Sequence, residues 1–243
     1  MTLFGEGRGR VLISIIVPTY NERNNIGRLI PAIEKNLDQA SVGEFEILVM
    51  DDDSPDGTSE RILEMKDPRV RLVNRRGRPR GLSQAVLDGF GEARGEILGV
   101  MDADLSHPPE TLPSLIAAVR EEYLVAVGSR YVPGGGVRQW PWRRVVTSKI
   151  ACWLARPVTP VKDSTSGFFF LKKSVLEGVV LNPSGFKIGL EVFVRSKHGG
   201  KIKEVPYIFT DRKEGVSKFN GRVAACYVKQ LFSLMRENAR GRS

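Results

Sequence analysis

Apolar positions in the first half of the chain follow two alternating rhythms. Val11–Val17 is an apolar run rich in β-branched residues and ending at Pro18, the pattern of a buried strand. From Asn24 to Leu37 the apolar residues fall instead at Ile26, Leu29, Ile30, Ile33 and Leu37, the spacing of a helix with one buried side. The rhythms then trade places, predicting strands over Phe45–Met50, Val70–Val73, Ile97–Met101 and Leu124–Val127. Between them lie predicted helices over Gly57–Met65, Leu82–Ala93 and Glu110–Glu121. Short apolar strands separated by amphipathic helices predict an α/β fold with a parallel sheet and crossover helices on both faces. Ligands of such sheets bind beyond the carboxyl ends of the strands. Pro18–Glu22, Asp51–Asp53 and Asp102–Asp104 each directly follow a strand, which lines them up on one rim.

After Arg130 the pattern loosens. Val132–Gln139 is Gly-rich and reads as a mobile loop. Arg144–Leu154 reads as a helix offering Val145, Ile150, Cys152 and Trp153 for burial, Gly167–Leu171 as a short aromatic strand and Ile202–Phe209 as another. Arg222–Asn238 is a final helix with Val223, Tyr227, Leu231 and Met235 at intervals of four. With no repeat and no low-complexity linker, the organisation expected is an extension (1–10), one compact domain (11–221) and a basic amphipathic helix with its tail (222–243).

Composition adds a charge asymmetry. The 243 residues, 41% apolar, can bury one substantial core. The net charge is +9, yet from Arg195 onward twelve Lys/Arg face only four Asp/Glu. Such a patch attracts phosphate, or is simply a solvated surface. Cys152 and Cys226 are far apart and outside metal-ligand spacing, which points to a reducing compartment. The N-terminus lacks the apolar core of a signal peptide, and no apolar run reaches the ~18–20 residues that span a bilayer. Any work on lipid is therefore expected from the membrane surface.

Two acidic turns carry the candidate chemistry. Asp102-Ala103-Asp104 places carboxylates two apart in a strand-end loop, where they can share a hard divalent cation that bridges a diphosphate. The same residues also suit a capped turn ahead of Glu110. Asp51-Asp52-Asp53-Ser54-Pro55-Asp56-Gly57-Thr58 can accept hydrogen bonds from a base or ribose, or form another capped turn. Three consecutive acids repel one another more than a turn requires, so a cation or donors should lie close. Arg130, Arg212 and Lys218 are isolated cations in Gly- and Ser-containing loops, suited to phosphate or to plain solvent. His107 and His198 have no partner at nucleophile spacing; no Gly-x-Gly-x-x-Gly follows a strand, and no Walker lysine occurs.

Taken in order, the segments Val17-Pro18-Thr19-Tyr20-Asn21-Glu22, Asp51-Asp52 with Ser54-Pro55-Asp56-Gly57-Thr58, Asp102-Ala103-Asp104-Leu105 and Gly128-Ser129-Arg130-Tyr131 resemble the dolichyl-phosphate (polyprenyl-phosphate) mannosyltransferases. Val161–Phe168, Glu204-Val205-Pro206, Asp211-Arg212 and Ser217-Lys218 continue the match, which covers roughly 12–235. The resemblance implies the Rossmann-like nucleotide-diphospho-sugar transferase fold (A-type) and inverting transfer of mannose from GDP-mannose to dolichyl or polyprenyl phosphate. It implies Pro18, Tyr20, Glu22, Met50 and Asp52 around guanosine, and Asp102, Ala103 and Asp104 at the sugar and diphosphate. Mg²⁺ or Mn²⁺ would rest on Asp104 with Asp102, and Arg130, Arg212 and Lys218 would hold phosphates, Asp104 and Arg130 being the catalytic pair. Where many members carry a ligating Gln, this chain has Ser106, a shorter metal ligand.

A mechanism without a protein base fits this inventory, because a lipid phosphate is largely ionised near neutral pH, its second pKa being about 6. The expected setting is peripheral, on the cytoplasmic face of a membrane. The final helix and the Trp140–Trp153 segment would meet lipid, close the core, or receive a small membrane-anchoring subunit. The nearest rival is a UDP-glucose-dependent transferase of the same fold. A nucleic-acid-binding module leaves the acidic loops unexplained, and a nucleotidyltransferase needs a Gly- and cation-rich first loop that Pro18–Glu22 does not supply.

Overall fold

The computed structural model describes residues 12–182, 187–210 and 221–240, so that Arg212 and Lys218 lie outside the described residues, as does the Val223 side chain. The alternation of the first half is observed as β1 (Ile13–Thr19), α1 (Arg23–Gln39), β2 (Phe45–Asp51), α2 (Thr58–Glu64), β3 (Val70–Asn74), α3 (Leu82–Glu92) and β4 (Ile97–Val100). There follow α4 (Leu112–Glu121), β5 (Val125–Ser129), β6 (Gly136–Arg138), α5 (Trp142–Leu154) and β7 (Phe169–Lys172). The chain continues through α6 (Ile188–Arg195), β8 (Ile202–Pro206), β9 (Ile208–Thr210) and α7 (Gly221–Arg240).

Seven strands form the main sheet in the order β3-β2-β1-β4-β7-β5-β8. All pairings are parallel except those of β7, which runs antiparallel to both β4 and β5. The unbroken apolar runs are explained by burial on both faces. Ile13, Ile15 and Val17 of β1 pack with Ile26, Leu29, Ile30 and Ile33 of α1 and with Leu115, Ile116 and Val119 of α4. Ile16 points the opposite way, toward Leu48, Met50 and the α3 residues Ala85, Val86 and Phe90, in a core shared with Ile188, Val192 and Phe193 of α6. Each such side chain contributes roughly 1.5–3 kcal/mol of burial.

The second half departs from its pattern in three places. The Gly-rich stretch read as a mobile loop contains β6, which pairs in parallel with β9. The strand expected over Ile202–Phe209 is two strands: β8 stays in the main sheet while β9 leaves it for β6. In α5 only Cys152 of the four residues offered for burial is buried; Ile150 is 52% and Trp153 71% exposed. Positions two apart on a helix lie about 200° around its axis, so Ile150 and Cys152 cannot share a face. The last helix packs on the body through Tyr227, Leu231 and Leu234, against Ala155 and Leu190. Among the described residues no helix is long and apolar enough to cross a membrane.

Candidate active site

Parallel order places the carboxyl ends of β1, β2 and β4 side by side, and with them the three acidic or polar turns. Each turn holds one non-glycine residue in the left-handed region: Asn21 (φ 60°), Asp53 (φ 58°) and Leu105 (φ 61°). For leucine this conformation is disfavoured by about 1–2 kcal/mol, so the surrounding contacts must impose it.

The β1 and β2 turns are stitched together by main-chain donors. Asn21 N–H donates to Ser54 Oγ at 3.0 Å, Glu22 N–H to Thr58 Oγ1 at 3.0 Å and Arg23 N–H to an Asp56 carboxylate oxygen at 3.1 Å. The acids of the β2 turn divide the labour. Asp51 is wholly buried and accepts from Thr19, Ser54 and Ser59, which is the capped-turn role. Asp52 is ion-paired with Arg75 and accepts the Gly81 N–H at 2.9 Å. Arg75, with no exposed side-chain surface, also donates to Asp88 at 2.9 Å and to the Pro79 carbonyl at 2.8 Å. That buried cation relieves the acidic triplet. Asp53 faces outward, 3.5 Å from the Arg80 guanidinium.

The β4 turn is buried around its second carboxylate. Asp104 is 7% exposed, and one of its oxygens accepts the Ser106 N–H at 3.0 Å. Ser106 Oγ is buried without a hydrogen-bond partner among the described residues, an unsatisfied oxygen beside a carboxylate. His107 anchors the turn from behind. Its ring stacks on Phe168 at 4.8 Å, and Nδ1 accepts the Asp102 N–H at 3.1 Å. Nε2 therefore carries the hydrogen and faces the Asp102 carboxylate at 3.8 Å. Burial holds the His107 pKa below its ordinary value against the pull of Asp102 and Asp104.

The remaining predicted residues are placed as follows. Pro18 is buried in β1, opposite Met50 of β2; Met50 is fully buried with its side chain in the core, so this position offers a ligand only its backbone. Tyr20 is 40% exposed on the rim, Glu22 accepts from Asn25 at 2.7 Å, and Ala103 is buried between the two aspartates. Arg130 is 8% exposed and forms a two-pronged pair with wholly buried Asp163, at 2.7 and 2.6 Å, with a further bond to Thr165. Tyr131, Trp140 and Phe209 ring its guanidinium. Asp163 drives the Arg130 pKa upward against its burial, so the charge is permanent. Lys187 at the start of α6 completes this region: burial and the nearby Arg130 lower its pKa, while Asp102 and Asp163 oppose that shift.

The roles of three of these contributors escape sequence reasoning, although Asp163 lies in the Val161–Phe168 segment of the resemblance. Arg75 sits in a run with Arg76, Arg78 and Arg80 and looks like its solvated neighbours. Asp163 and Lys187 come from the irregular second half, where no periodicity assigns them a face. His107, without a partner at nucleophile spacing, has the geometry of a support.

A family model for glycosyl transferase family 2 matches residues 14–190, the stretch that carries all three turns and the Arg130–Asp163 pair. The chain belongs to glycosyl transferase family 2. Among relatives of this family 2 chain, a dolichol-phosphate mannosyltransferase of Pyrococcus furiosus is 45% identical over 92% of the chain. The chain spans 64% of that relative's length. A Saccharomyces cerevisiae dolichol-phosphate mannosyltransferase is 40% identical, covering 91% of this chain and 86% of its own. A polyprenol monophosphomannose synthase of Mycolicibacterium smegmatis is 41% identical, over 85% and 80%. The fold of this chain is shared by mannosyl-3-phosphoglycerate synthase from Rubrobacter xylanophilus, with a TM-score of 0.69 at 18% identity over 95% of this chain and 75% of that one. It is also shared by glucosyl-3-phosphoglycerate synthase from Mycobacterium tuberculosis, solved with Mn²⁺ and UDP, with a TM-score of 0.66 at 21% identity over 93% and 78%.

Proposed function

We propose that this chain transfers mannose from GDP-mannose to the phosphate of dolichyl or polyprenyl phosphate, with inversion at the anomeric carbon. The names of its relatives at 40–45% identity support the mannosyl transfer and the lipid phosphate acceptor. The observation that carries the chemistry is the end of β4: buried Asp104 accepts the Ser106 N–H, the Ser106 hydroxyl is buried and unsatisfied among the described residues, and Asp102 lies two positions earlier in the same turn. Among the described residues no three His, Cys, Asp or Glu side chains meet to cage a metal by themselves. Two carboxylates and a hydroxyl suit a hard cation whose shell is completed by diphosphate oxygens and water. Asp102, Asp104 and Ser106 would hold Mg²⁺ or Mn²⁺, which supplies positive charge to the leaving diphosphate.

The residues present support the remaining steps. Pro18, Tyr20, Glu22 and Asp52, with the Met50 backbone, would receive guanosine along the β1–β2 rim. Arg130, held in place by Asp163, would face the phosphates together with Arg212 and Lys218. A lipid phosphate carries its own negative charge, so attack on the anomeric carbon needs no side chain to remove a proton. What the protein must supply is alignment and charge at the leaving group. In-line displacement of an α-linked donor yields a β-linked lipid product.

The setting proposed is the cytoplasmic face of a membrane, with peripheral attachment. Trp142, Val146, Ile150 and Trp153 form one exposed stripe on α5, and Val228 and Phe232 are exposed on α7. The two helices adjoin, since Tyr227 Oη donates to the Ala151 carbonyl at 2.8 Å. Arg143, Lys149, Lys229 and Arg236 are exposed cations around the stripe, as anionic headgroups require. A small membrane subunit is the other occupant that would suit this face. The deciding test is radiolabelled transfer to a polyprenyl phosphate from GDP-mannose and from UDP-glucose, with and without chelator. Chelator-sensitive transfer from GDP-mannose is expected; transfer only from UDP-glucose would replace the mannose reading.

A further inference from the structure

One exposed cation on the donor rim has no part in the chemistry described so far. Arg80 lies in the turn between β3 and α3, and its guanidinium carbon stands 5.2 Å from the centroid of the Tyr20 ring. It reaches the Asp53 carbonyl at 3.4 Å and the Asp53 carboxylate at 3.5 Å, with its side chain 56% and that of Asp53 43% exposed. The backbone on either side is held fast. The Pro79 carbonyl accepts from buried Arg75 at 2.8 Å, and the Gly81 N–H donates to Asp52 at 2.9 Å. An exposed cationic head is thus mounted on a fixed turn, beside an aromatic plate.

The sheet provides a ruler for what could meet it. Neighbouring strands lie about 4.8 Å apart, so β2 and β3 stand roughly 10 and 14 Å from β4 along the rim. A diphosphate at the β4 turn, at the point where strand order reverses between β1 and β4, extends its nucleoside toward β2 and β3. The ribose and base span that distance, which brings the base to Tyr20, Asp52 and Arg80. An arginine fork matches one base edge best: the O6 and N7 acceptors of guanine. Uracil and cytosine have no N7, and adenine offers a donor in place of O6, which repels a cation. The bland role for Arg80, an exposed pair with Asp53, would do little for stability and nothing for donor choice.

We propose that Arg80 selects the donor nucleotide by donating to O6 and N7 of guanine, with its guanidinium steadied by the Tyr20 ring. This rests on the GDP-mannose reading, and calorimetry can separate the two. GDP, 7-deaza-GDP (carbon in place of N7) and UDP are titrated into the wild-type chain and into Arg80→Ala and Arg80→Lys, with thermal unfolding as a control for folding. The wild type should bind GDP roughly tenfold more tightly than 7-deaza-GDP, and Arg80→Ala should lose that preference while binding UDP unchanged. Arg80→Lys, lacking the fork, should fall between them. Equal binding of GDP and 7-deaza-GDP by a wild type that still prefers GDP to UDP would overturn the role of Arg80 alone. Equal weakening of GDP and UDP in Arg80→Ala would do the same. A wild type that prefers UDP would overturn the donor reading together with this one.

Discussion

Arg75 shows how much one side chain can organise. It is a fully buried cation shared between Asp52 and Asp88, and it fixes both the acidic turn and the turn that carries Arg80. Removing one partner of a buried pair leaves the other charge stranded, so Arg75→Ala should destabilise the fold by about 3–5 kcal/mol in urea unfolding. A loss below about 1 kcal/mol would mean that water replaces the guanidinium without penalty. His107 gives a prediction in pH. Its folded pKa is held below the ordinary value of about 6.5 by burial, so the unfolded chain binds the extra proton first. Stability should therefore fall as pH drops below about 6.5, and His107→Gln should flatten that part of the profile; an unchanged slope would exonerate this residue. At the β4 turn, Asp104→Asn keeps an acceptor for the Ser106 N–H but removes the charge. Turnover should fall at least roughly a hundredfold, with little change in melting temperature, because under the proposed function the lost charge would help hold the cation that offsets the leaving diphosphate.

At the scale of elements, close backbone approach decides where α6 sits. A Cβ on Gly189 would stand 2.6 Å from the Ser166 carbonyl oxygen and 3.3 Å from the Phe193 ring. Gly189→Ala should push α6 outward at a cost of about 1–3 kcal/mol, read by denaturant unfolding. Lys187 at the head of that helix would move with it. The same head is clasped by α7: Gln230 donates to the Lys187 carbonyl at 3.0 Å and to Glu191 at 3.0 Å. The last helix is therefore tied to the site region as well as to α5. Neither α6 nor this clasp is legible in the sequence. Eight residues with a glycine at the second position, Ile188–Arg195, are too short for periodicity to separate from a strand.

For the whole molecule, α5 carries an exposed apolar stripe and α7 exposes Val228 and Phe232, with exposed cations on both helices. Trp153→Glu combined with Phe232→Glu should lower partition onto anionic vesicles by an order of magnitude or more. Both side chains are largely exposed, at 71% and 63%, so the melting temperature should hold within a few degrees. Vesicle binding that is undiminished would direct attention to other surfaces. Binding should also weaken with added salt, since the exposed cations act within a Debye length of roughly 10 Å at 0.1 M.

The order of elements through β5, the parallel sheet and the shared rim of the three turns are all written in local patterns. Burial on both faces demands unbroken apolar strands, and amphipathic helices announce their own buried side. Reversal of β7, the departure of β9 to β6 and the seating of α6 depend on pairings between distant segments, which no window along the chain contains. The acidic turns could be recognised from residue type and position. Their supports could not, because a guanidinium or imidazole reads the same in solvent and in a buried network. Only folding brings Arg75 to Asp52, Asp163 to Arg130 and His107 behind Asp102.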